Sequence, residues 1–543
     1  MMLRWFKDLP RSERRFFIIC AIVVLFLSTL PVLTGFMLAH GQIYTDRVYL
    51  GGADKMVYLS QIEEVSQGHW LLHNLYTAER QIPYLSPLWL VLGLLAGLFK
   101  LAPLLVFHLV RILFGAIFLF LVYYLLLKIF TESFWRKTSF LIVGLSSGLG
   151  VFTVFRPWTD ANMVRYFGSD IWFSEGNSFL TLAHSPLFIL SQIILLVIFG
   201  WLINRLSKAG WLESALMGLL IFFLGIIHPY DLVIVGAVGG VWWLVKIILA
   251  KRFLWREFFK LLILLINALL AVGYFFYLIN SSPAFGGWFD QNITLSPGLI
   301  NYLIGYGLLV PFFILGVKPA LKSGNKYLYF LTVWGAVAWF LLFLPLPSQR
   351  RFGNGMHIPM AIIAVYGTYW VWQSIKNSRV IIYLQKIFVW QTILQIIFFV
   401  LISSSLFSVG AKLAMQSYYQ KNIYLQPSEA NALLWLKNNI DKNSVILSEH
   451  LVGNFIPAFT GRFVYLGHGH QTNRWSEKMV KVEQWFFATN NDDAQKSSWL
   501  MAEGIDYVYF GLNEKTLGSF DPFVKPYLSL VWQQGEVAIF KVK

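Results

Sequence analysis

The sequence contains little cysteine and little charge. Its 543 residues include one cysteine, Cys20, so no disulfide can form within the chain, and a thiolate metal site is not expected. Only 13% of the residues are charged, about half the fraction that is usual in a soluble domain. The chain also lacks internal repeats and the HExxH, Walker and Rossmann glycine sequences. These absences argue against a zincin, a P-loop enzyme and a dinucleotide-binding domain.

Long apolar runs dominate what is present. Hydrophobic residues make up 57% of the chain and aromatic residues 17%, and repeated runs of about 20 apolar residues predict an α-helical polytopic membrane protein. The first run, Phe16–Leu38, exceeds a signal-peptide core of about 7–15 residues. We therefore interpret it as an uncleaved first span. Further runs lie near 104–127, 139–155, 185–204, 212–227, 232–249, 259–279, 299–317, 327–346, 357–375 and 387–410. Together they predict about eleven transmembrane helices.

The distribution of charge predicts the orientation. The net charge is +16; residues 1–414 hold 31 Lys/Arg and 15 Asp/Glu, while residues 415–543 hold 12 of each. The basic residues recur in alternate short loops, which is the positive-inside pattern. It places the N-terminus in the cytoplasm and the C-terminal segment outside an inner or plasma membrane. Because the excess of Lys and Arg over Asp and Glu belongs to the membrane part, it does not predict a nucleic-acid partner.

The composition changes at about residue 415. From there, short apolar strands alternate with helical patterns and end in a hairpin-like tail, Leu528–Val542. We therefore predict two domains: a transmembrane domain, 1–414, with a large outer loop, 40–100, and a soluble extracytoplasmic α/β domain, 415–543. Within the outer loop, Pro87–Phe99 is apolar but short for a span, which predicts an interfacial or re-entrant helix.

Acids and aromatic residues are concentrated in two predicted outer loops. The first contains Asp54 and Tyr58, and the second contains Asp160, Asp170, Trp172 and Glu175. Aromatic faces beside acids suit sugars, which present apolar C–H faces and polar edges. An interfacial aromatic belt with solvated charges is the alternative.

Two later outer segments carry further candidates. In His228-Pro229-Tyr230-Asp231 a tight turn is expected to bring His228 and Asp231 together, although the same residues simply favour a turn. In Ser348-Gln349-Arg350-Arg351-Phe352 the arginine pair opposes the positive-inside trend. The planar guanidinium suits bidentate phosphate binding, and snorkelling to lipid headgroups is the alternative. Gly467-His468-Gly469-His470 has weak metal-ligand spacing, so we interpret it as a structural loop.

These segments resemble those of the GT-C superfamily of integral membrane glycosyltransferases. The similarity lies in the N-in first span, the early Asp in Gly52–Trp70, the Ser-Pro-Leu-Trp apolar helix, the Gln349–Pro359 stretch and the outer C-terminal domain. It covers most of the chain, through short motifs. Within the superfamily the likeness is to the bacterial protein-mannosyltransferase-like and aminoarabinose-transferase-like branches.

The resemblance implies transfer of a sugar from a polyprenyl-phosphate donor to a lipid, glycan or protein acceptor on the extracytoplasmic side. Asp54 matches the family's early acid, which implies a catalytic base or a residue that binds the acceptor. A second acid from the next outer loop often assists, sometimes through a divalent metal such as Mg²⁺ or Mn²⁺; Asp170 is the first candidate, Glu175 the second and Asp160 the third. The expected phosphate-binding residues are Arg350, Arg351, His228 and Arg80. The expected sugar- or acceptor-binding residues are Tyr58, Asp160, Trp172 and Asp231.

Three other functions remain open from the sequence, one of which is a binding protein with a degenerate site. A lipid-linked saccharide ligase or polymerase of another membrane fold would also use outer-loop arginines. A non-catalytic lipid-saccharide transporter is the second alternative. Transporters place charged residues within their spans, whereas the predicted spans here contain almost no acids.

Overall fold

Most of the chain folds into helices. The computed structural model describes residues 2–48, 52–155, 167–379, 389–418 and 423–543. In the first half, the α-helices are Met2–Asp8, Arg11–Met37, Gly52–Ser66, Pro87–Phe99, Pro103–Leu127, Ser133–Leu145, Val151–Val154, Ser178–His184, Pro186–Asn204, Trp211–Ile227, Asp231–Ala250 and Trp255–Ser281. The later ones are Pro283–Gln291, Leu299–Tyr306, Leu309–Lys322, Lys326–Leu341, His357–Ile375, Val389–Tyr418, Pro427–Asn439, His450–Thr460, Trp475–Met479, Asp493–Ala502 and Leu512–Lys515.

The predicted number of spans is not confirmed. Six helices of the described residues are long and apolar enough to cross a membrane, or seven if the bent pair Leu299–Tyr306 and Leu309–Lys322 is one span. That pair bends by 84° at Gly307, whose φ of 47° favours glycine. Trp211–Ile227 and Lys326–Leu341 are shorter, at 17 and 16 residues. Apolar runs therefore predict too many membrane-spanning helices, because turns interrupt or shorten some of the helices that they form.

Six of the seven strands of the described residues lie in the C-terminal region, and the seventh lies in the predicted first outer loop. They are β1 (Ile43–Tyr44), β2 (Tyr424–Leu425), β3 (Val445–Leu447), β4 (Phe463–Val464), β5 (Tyr507–Phe510), β6 (Leu528–Gln534) and β7 (Val537–Val542). The larger sheet has the order β4-β3-β5-β7-β6, in which β3 runs parallel to β4 and β5 while β7 runs antiparallel to β5 and β6. The hairpin-like tail is thus confirmed as the β6–β7 pair. Leu447, Phe486, Phe487, Val508 and Phe540 contribute to the core against this sheet.

The chain divides into two compact units. The first comprises Met1–Pro31, Val110–Val272 and Thr294–Ala411. The second comprises Val32–Leu109, Gly273–Ile293 and Lys412–Lys543. The second unit therefore joins residues of the predicted first outer loop to the C-terminal region. In a separate two-stranded sheet, β1 pairs antiparallel with β2, matching Ile43 with Leu425. The predicted division into folding domains at residue 414 stays a prediction.

Candidate functional site

Asp54 lies in the first turn of the helix Gly52–Ser66, in the second unit. Its side chain is 49% exposed, and its Oδ1 lies 3.0 Å from Nε2 of His468, whose own side chain is 5% exposed. A carboxylate near a helix N-terminus is also stabilised by the helix dipole. The acid is therefore accessible, while a buried histidine orients one of its oxygens.

The residue after Asp54 anchors this helix. The ammonium group of Lys55 is buried against the carboxylate of Asp46 and also donates to the backbone oxygen of Asp46 at 3.2 Å. Asp46 further contacts Nε2 of His108 at 2.9 Å and accepts from the Tyr44 hydroxyl at 2.7 Å. Burial alone would raise the pKa of Asp46, but Lys55 and His108 hold it well below its usual range. This buried network fixes the turn that carries Asp54.

Tyr58 lies one helical turn after Asp54. Its ring stacks on Trp89, with centroids 4.8 Å apart and an interplanar angle of 17°, and Trp89 in turn stacks on Phe107. Trp89 belongs to the Ser-Pro-Leu-Trp helix Pro87–Phe99. Tyr58 is therefore partly buried, and its predicted sugar-binding role stays a prediction.

In the first unit, the arginine pair lies in the 3₁₀ turn Gln349–Gly353. The guanidinium carbon of Arg350 stands 5.3 Å from the centre of the Trp172 ring, and that of Arg351 stands 5.2 Å from the Tyr230 ring. Nη1 of Arg351 also lies 3.4 Å from Oε1 of Glu175. The fold thus gathers predicted residues from three separate loops around two partly exposed cations.

The charges of this cluster influence one another. Glu175 is buried, and burial alone would raise its pKa. The positive charges of Arg351 and Arg350 outweigh burial and lower the pKa of Glu175. Glu175 is therefore an ionised partner of the arginines, a geometry that orients Arg351. Its predicted role as a second catalytic acid stays a prediction.

The His228–Asp231 turn forms as the sequence predicts. Nδ1 of His228 lies 3.0 Å from Oδ1 of Asp231, without the alignment of a hydrogen bond, and both ring nitrogens lack a hydrogen-bond partner among the described residues. Asp231 is completely buried and accepts from Ser191 Oγ at 2.5 Å and from Asn354 Nδ2 at 2.9 Å. Asn354 follows the arginine turn, so Asp231 holds that turn in place. Its predicted contact with sugar stays untested.

Asp170 is enclosed by glycines. Its Oδ2 accepts from the backbone nitrogens of Gly148 at 2.8 Å and Gly150 at 3.3 Å. A Cβ at Gly150 would lie 2.1 Å from Asp170 Oδ1, and one at Gly168 would lie 2.8 Å from it. Asp170 therefore joins the segment after helix Ser133–Leu145 to its own 3₁₀ turn, Ser169–Ile171.

We expect Asp170→Asn to remove a pH dependence of stability. Burial raises the pKa of Asp170 to about 6, above the value of about 3.9 for an unfolded aspartate. Because the folded chain keeps this proton to higher pH, stability falls as the pH rises from about 4 to about 6, by roughly 2–3 kcal/mol. Asn carries no such ionisation cost. The free energy of unfolding of the wild-type chain and of Asp170→Asn is measured in detergent at several pH values. If it depends on pH equally in both proteins, the prediction is contradicted.

Two predicted site residues remain to be placed. Arg80 is exposed and belongs to the second unit. Asp160 lies outside the described residues, so its predicted roles as third candidate acid and as sugar-binding residue stay predictions.

Metal-ligand clusters occur away from the predicted acids. In the part of the chain that the structure describes, the groups of three or more that could hold an ion are Glu64, His69 and His73, and Glu449, His450 and Glu483. Neither group includes Asp54, Asp170 or Glu175. The predicted divalent metal at those acids therefore stays a prediction.

His468 is the residue that sequence reasoning missed. The spacing of its segment predicts a structural loop, whereas in the structure the His468 ring contacts Asp54 across 414 positions of sequence. The signal available was a histidine in a glycine-rich turn, which does not identify a partner. Only the sheet and the loops beside it bring the two side chains together.

Solved structures provide the comparison, since no protein-family model and no curated protein matches the sequence. The structure is similar to an oligosaccharyltransferase of Archaeoglobus fulgidus tethered to an acceptor peptide, with a TM-score of 0.56 and 14% identity over 93% of this chain and 69% of that chain. The structure of that archaeal enzyme, AglB, in complex with an inhibitory peptide and a dolichol-phosphate matches with a TM-score of 0.51 and 13% identity. The match covers 93% of this chain and 70% of that chain. ArnT from Cupriavidus metallidurans, bound to undecaprenyl phosphate, matches with a TM-score of 0.52 and 12% identity over 97% of both chains.

These neighbours are GT-C enzymes. At such identities the similarity concerns the fold, and it extends over nearly the whole chain. The resemblance inferred from the early Asp, the arginine stretch and the C-terminal region is therefore confirmed at that level: the chain has the GT-C fold of integral membrane glycosyltransferases.

Proposed function

We propose that the chain is a membrane glycosyltransferase that moves a sugar from a polyprenyl-phosphate donor to an acceptor hydroxyl or amine on the extracytoplasmic side. The observation that carries the proposal is Asp54: an accessible carboxylate on an anchored helix turn, oriented by a buried histidine. An acceptor hydroxyl has a high pKa and needs a nearby general base to become nucleophilic. Asp54 takes that proton as the acceptor attacks the anomeric carbon, with inversion.

The arginine cluster supplies the second requirement. The bond from the anomeric carbon to the donor phosphate breaks, and the departing polyprenyl phosphate carries the electron pair away as negative charge. Cations placed in advance stabilise such charge. Arg350 and Arg351 are held on aromatic faces and, for Arg351, by Glu175. His228 adds two ring nitrogens that make no hydrogen bond among the described residues.

The neighbours support the class of donor. AglB was solved with dolichol-phosphate and ArnT with undecaprenyl phosphate. Both ligands are phosphates of long polyprenoid lipids. Such a donor stays in the bilayer, which agrees with a chain whose described part contains six or seven apolar helices of membrane-spanning length.

A transfer assay tests the proposal. The purified chain is reconstituted in liposomes with radiolabelled polyprenyl-phosphate sugars and a total membrane-acceptor fraction. We expect label to move from the lipid carrier to acceptor, with release of polyprenyl phosphate. Movement of intact labelled donor across the bilayer without bond cleavage would support a transporter instead. Transfer of a whole preassembled saccharide would support a ligase or polymerase.

A further inference from the structure

A buried histidine from the C-terminal region touches the candidate base. His468 follows β4 and lies in the turn Gly467–Thr472 of the second unit. Its Nε2 lies 3.0 Å from Oδ1 of Asp54. Its side chain is almost fully buried, whereas Asp54 is half exposed. A buried polar side chain aimed at an accessible acid is the arrangement of an orienting group.

Backbone contacts determine which nitrogen of His468 carries the proton. Nδ1 accepts from the backbone nitrogen of His470 at 3.2 Å and from that of Gln471 at 3.3 Å. A nitrogen that accepts two N–H groups carries no proton of its own, so in the neutral ring the proton is on Nε2. His468 therefore donates Nε2–H to Asp54. It does not compete with Asp54 as a base, because its lone pair is engaged elsewhere.

The turn that carries His468 is itself rigid. Gly467 N donates to Thr472 Oγ1 at 3.0 Å, and Thr472 Oγ1 donates to the backbone oxygen of Tyr76 at 2.8 Å. Asn74 Nδ2 donates to Gln471 O at 2.8 Å. At Gly467 a Cβ would lie 2.7 Å from the Gly453 oxygen, so the turn approaches its neighbours too closely for a side chain. The ring is thus held in one place relative to the helix of Asp54.

We infer that His468 is a positioning residue for Asp54: its Nε2–H fixes the orientation of the carboxylate that receives the acceptor proton. The inference rests on the proposed function and gives the C-terminal region a part in the chemistry. Loss of a hydrogen bond to a charged group changes an equilibrium by about 10- to 100-fold. The effect is expected in kcat, because the buried His468 acts through the acid that it contacts.

Two substitutions separate the hydrogen bond from packing. His468→Phe fills the space without a donor, and His468→Gln offers a side-chain N–H at a similar distance from the backbone. We expect His468→Phe to lower kcat by about 10- to 100-fold with unchanged KM for donor and acceptor, and His468→Gln to retain most activity. His470→Phe and His470→Gln, at an exposed position in the same turn, are the matched controls. Wild-type kcat in His468→Phe, or equal losses in the Phe and Gln variants, would overturn the inference.

A second measurement is independent of turnover. A double-mutant cycle with Asp54→Ala, which removes the oxygen that accepts from His468, His468→Phe and the combined variant is followed by thermal unfolding in detergent. Non-additive shifts are expected if the contact exists, and additive shifts would overturn it. If the wild-type chain transfers sugar and Asp54→Asn does not, the proposed function stands even where both His468 tests fail. If the wild-type chain transfers none, the proposed function fails and the positioning role falls with it, whatever coupling is measured.

Discussion

Asp54→Asn is expected to lower kcat for sugar transfer by about 10²- to 10⁴-fold, the contribution typical of a general base. The amide keeps the shape of the side chain and an oxygen that can accept from His468, but it cannot take a proton from the acceptor. Binding of the donor should change little, because Asp54 acts on the acceptor. Radiolabel transfer at saturating donor, together with a donor-binding isotherm, measures the two effects separately.

The matched control for Asp54→Asn is Asp290→Asn. Asp290 is an exposed acid of the same unit, in the helix Pro283–Gln291. It loses the same charge without touching the Asp54 turn, so its activity should equal that of the wild-type chain. Protein level and thermal unfolding are compared for all three proteins. An Asp54→Asn chain that folds normally and transfers sugar at the wild-type rate would refute the assignment of the base.

Arg351→Gln is expected to lower kcat/KM by about 10²- to 10³-fold, the loss seen when one group that stabilises a developing negative charge is removed. The side chain of Arg351 is 20% exposed, so a phosphate can reach it, and Glu175 and Tyr230 fix its direction. Arg351→Lys keeps the charge but loses the planar fork, so it should recover only part of the activity. Turnover at varied donor concentration measures the loss.

The control for this substitution lies in the same unit. Arg205 is half exposed and pairs with Glu213 on the surface, so Arg205→Gln should leave transfer unchanged. Because Arg351→Gln also leaves Glu175 buried without one of its two cations, thermal unfolding must be measured alongside. A stable Arg351→Gln chain with wild-type donor KM and kcat would remove Arg351 from the phosphate site.

Local patterns explain what could be predicted. Long apolar runs identified helices such as Pro103–Leu127 and Pro186–Asn204. Short apolar stretches after residue 415 identified β3, β5 and the β6–β7 hairpin. These features depend on residues a few positions apart, which the sequence displays directly. The span count did not follow in the same way, because bends such as the one at Gly307 lie within continuous apolar composition.

The sequence by itself determined the class of the protein: a helical membrane chain with a C-terminal sheet region, an early acid and an arginine pair. Only the tertiary structure decided which side chains meet. It paired Asp54 with His468, Arg351 with Glu175, and Asp170 with the backbone of Gly148 and Gly150. The physical reason is that hydropathy and turn preference act locally, whereas a contact across hundreds of positions depends on how the loops pack.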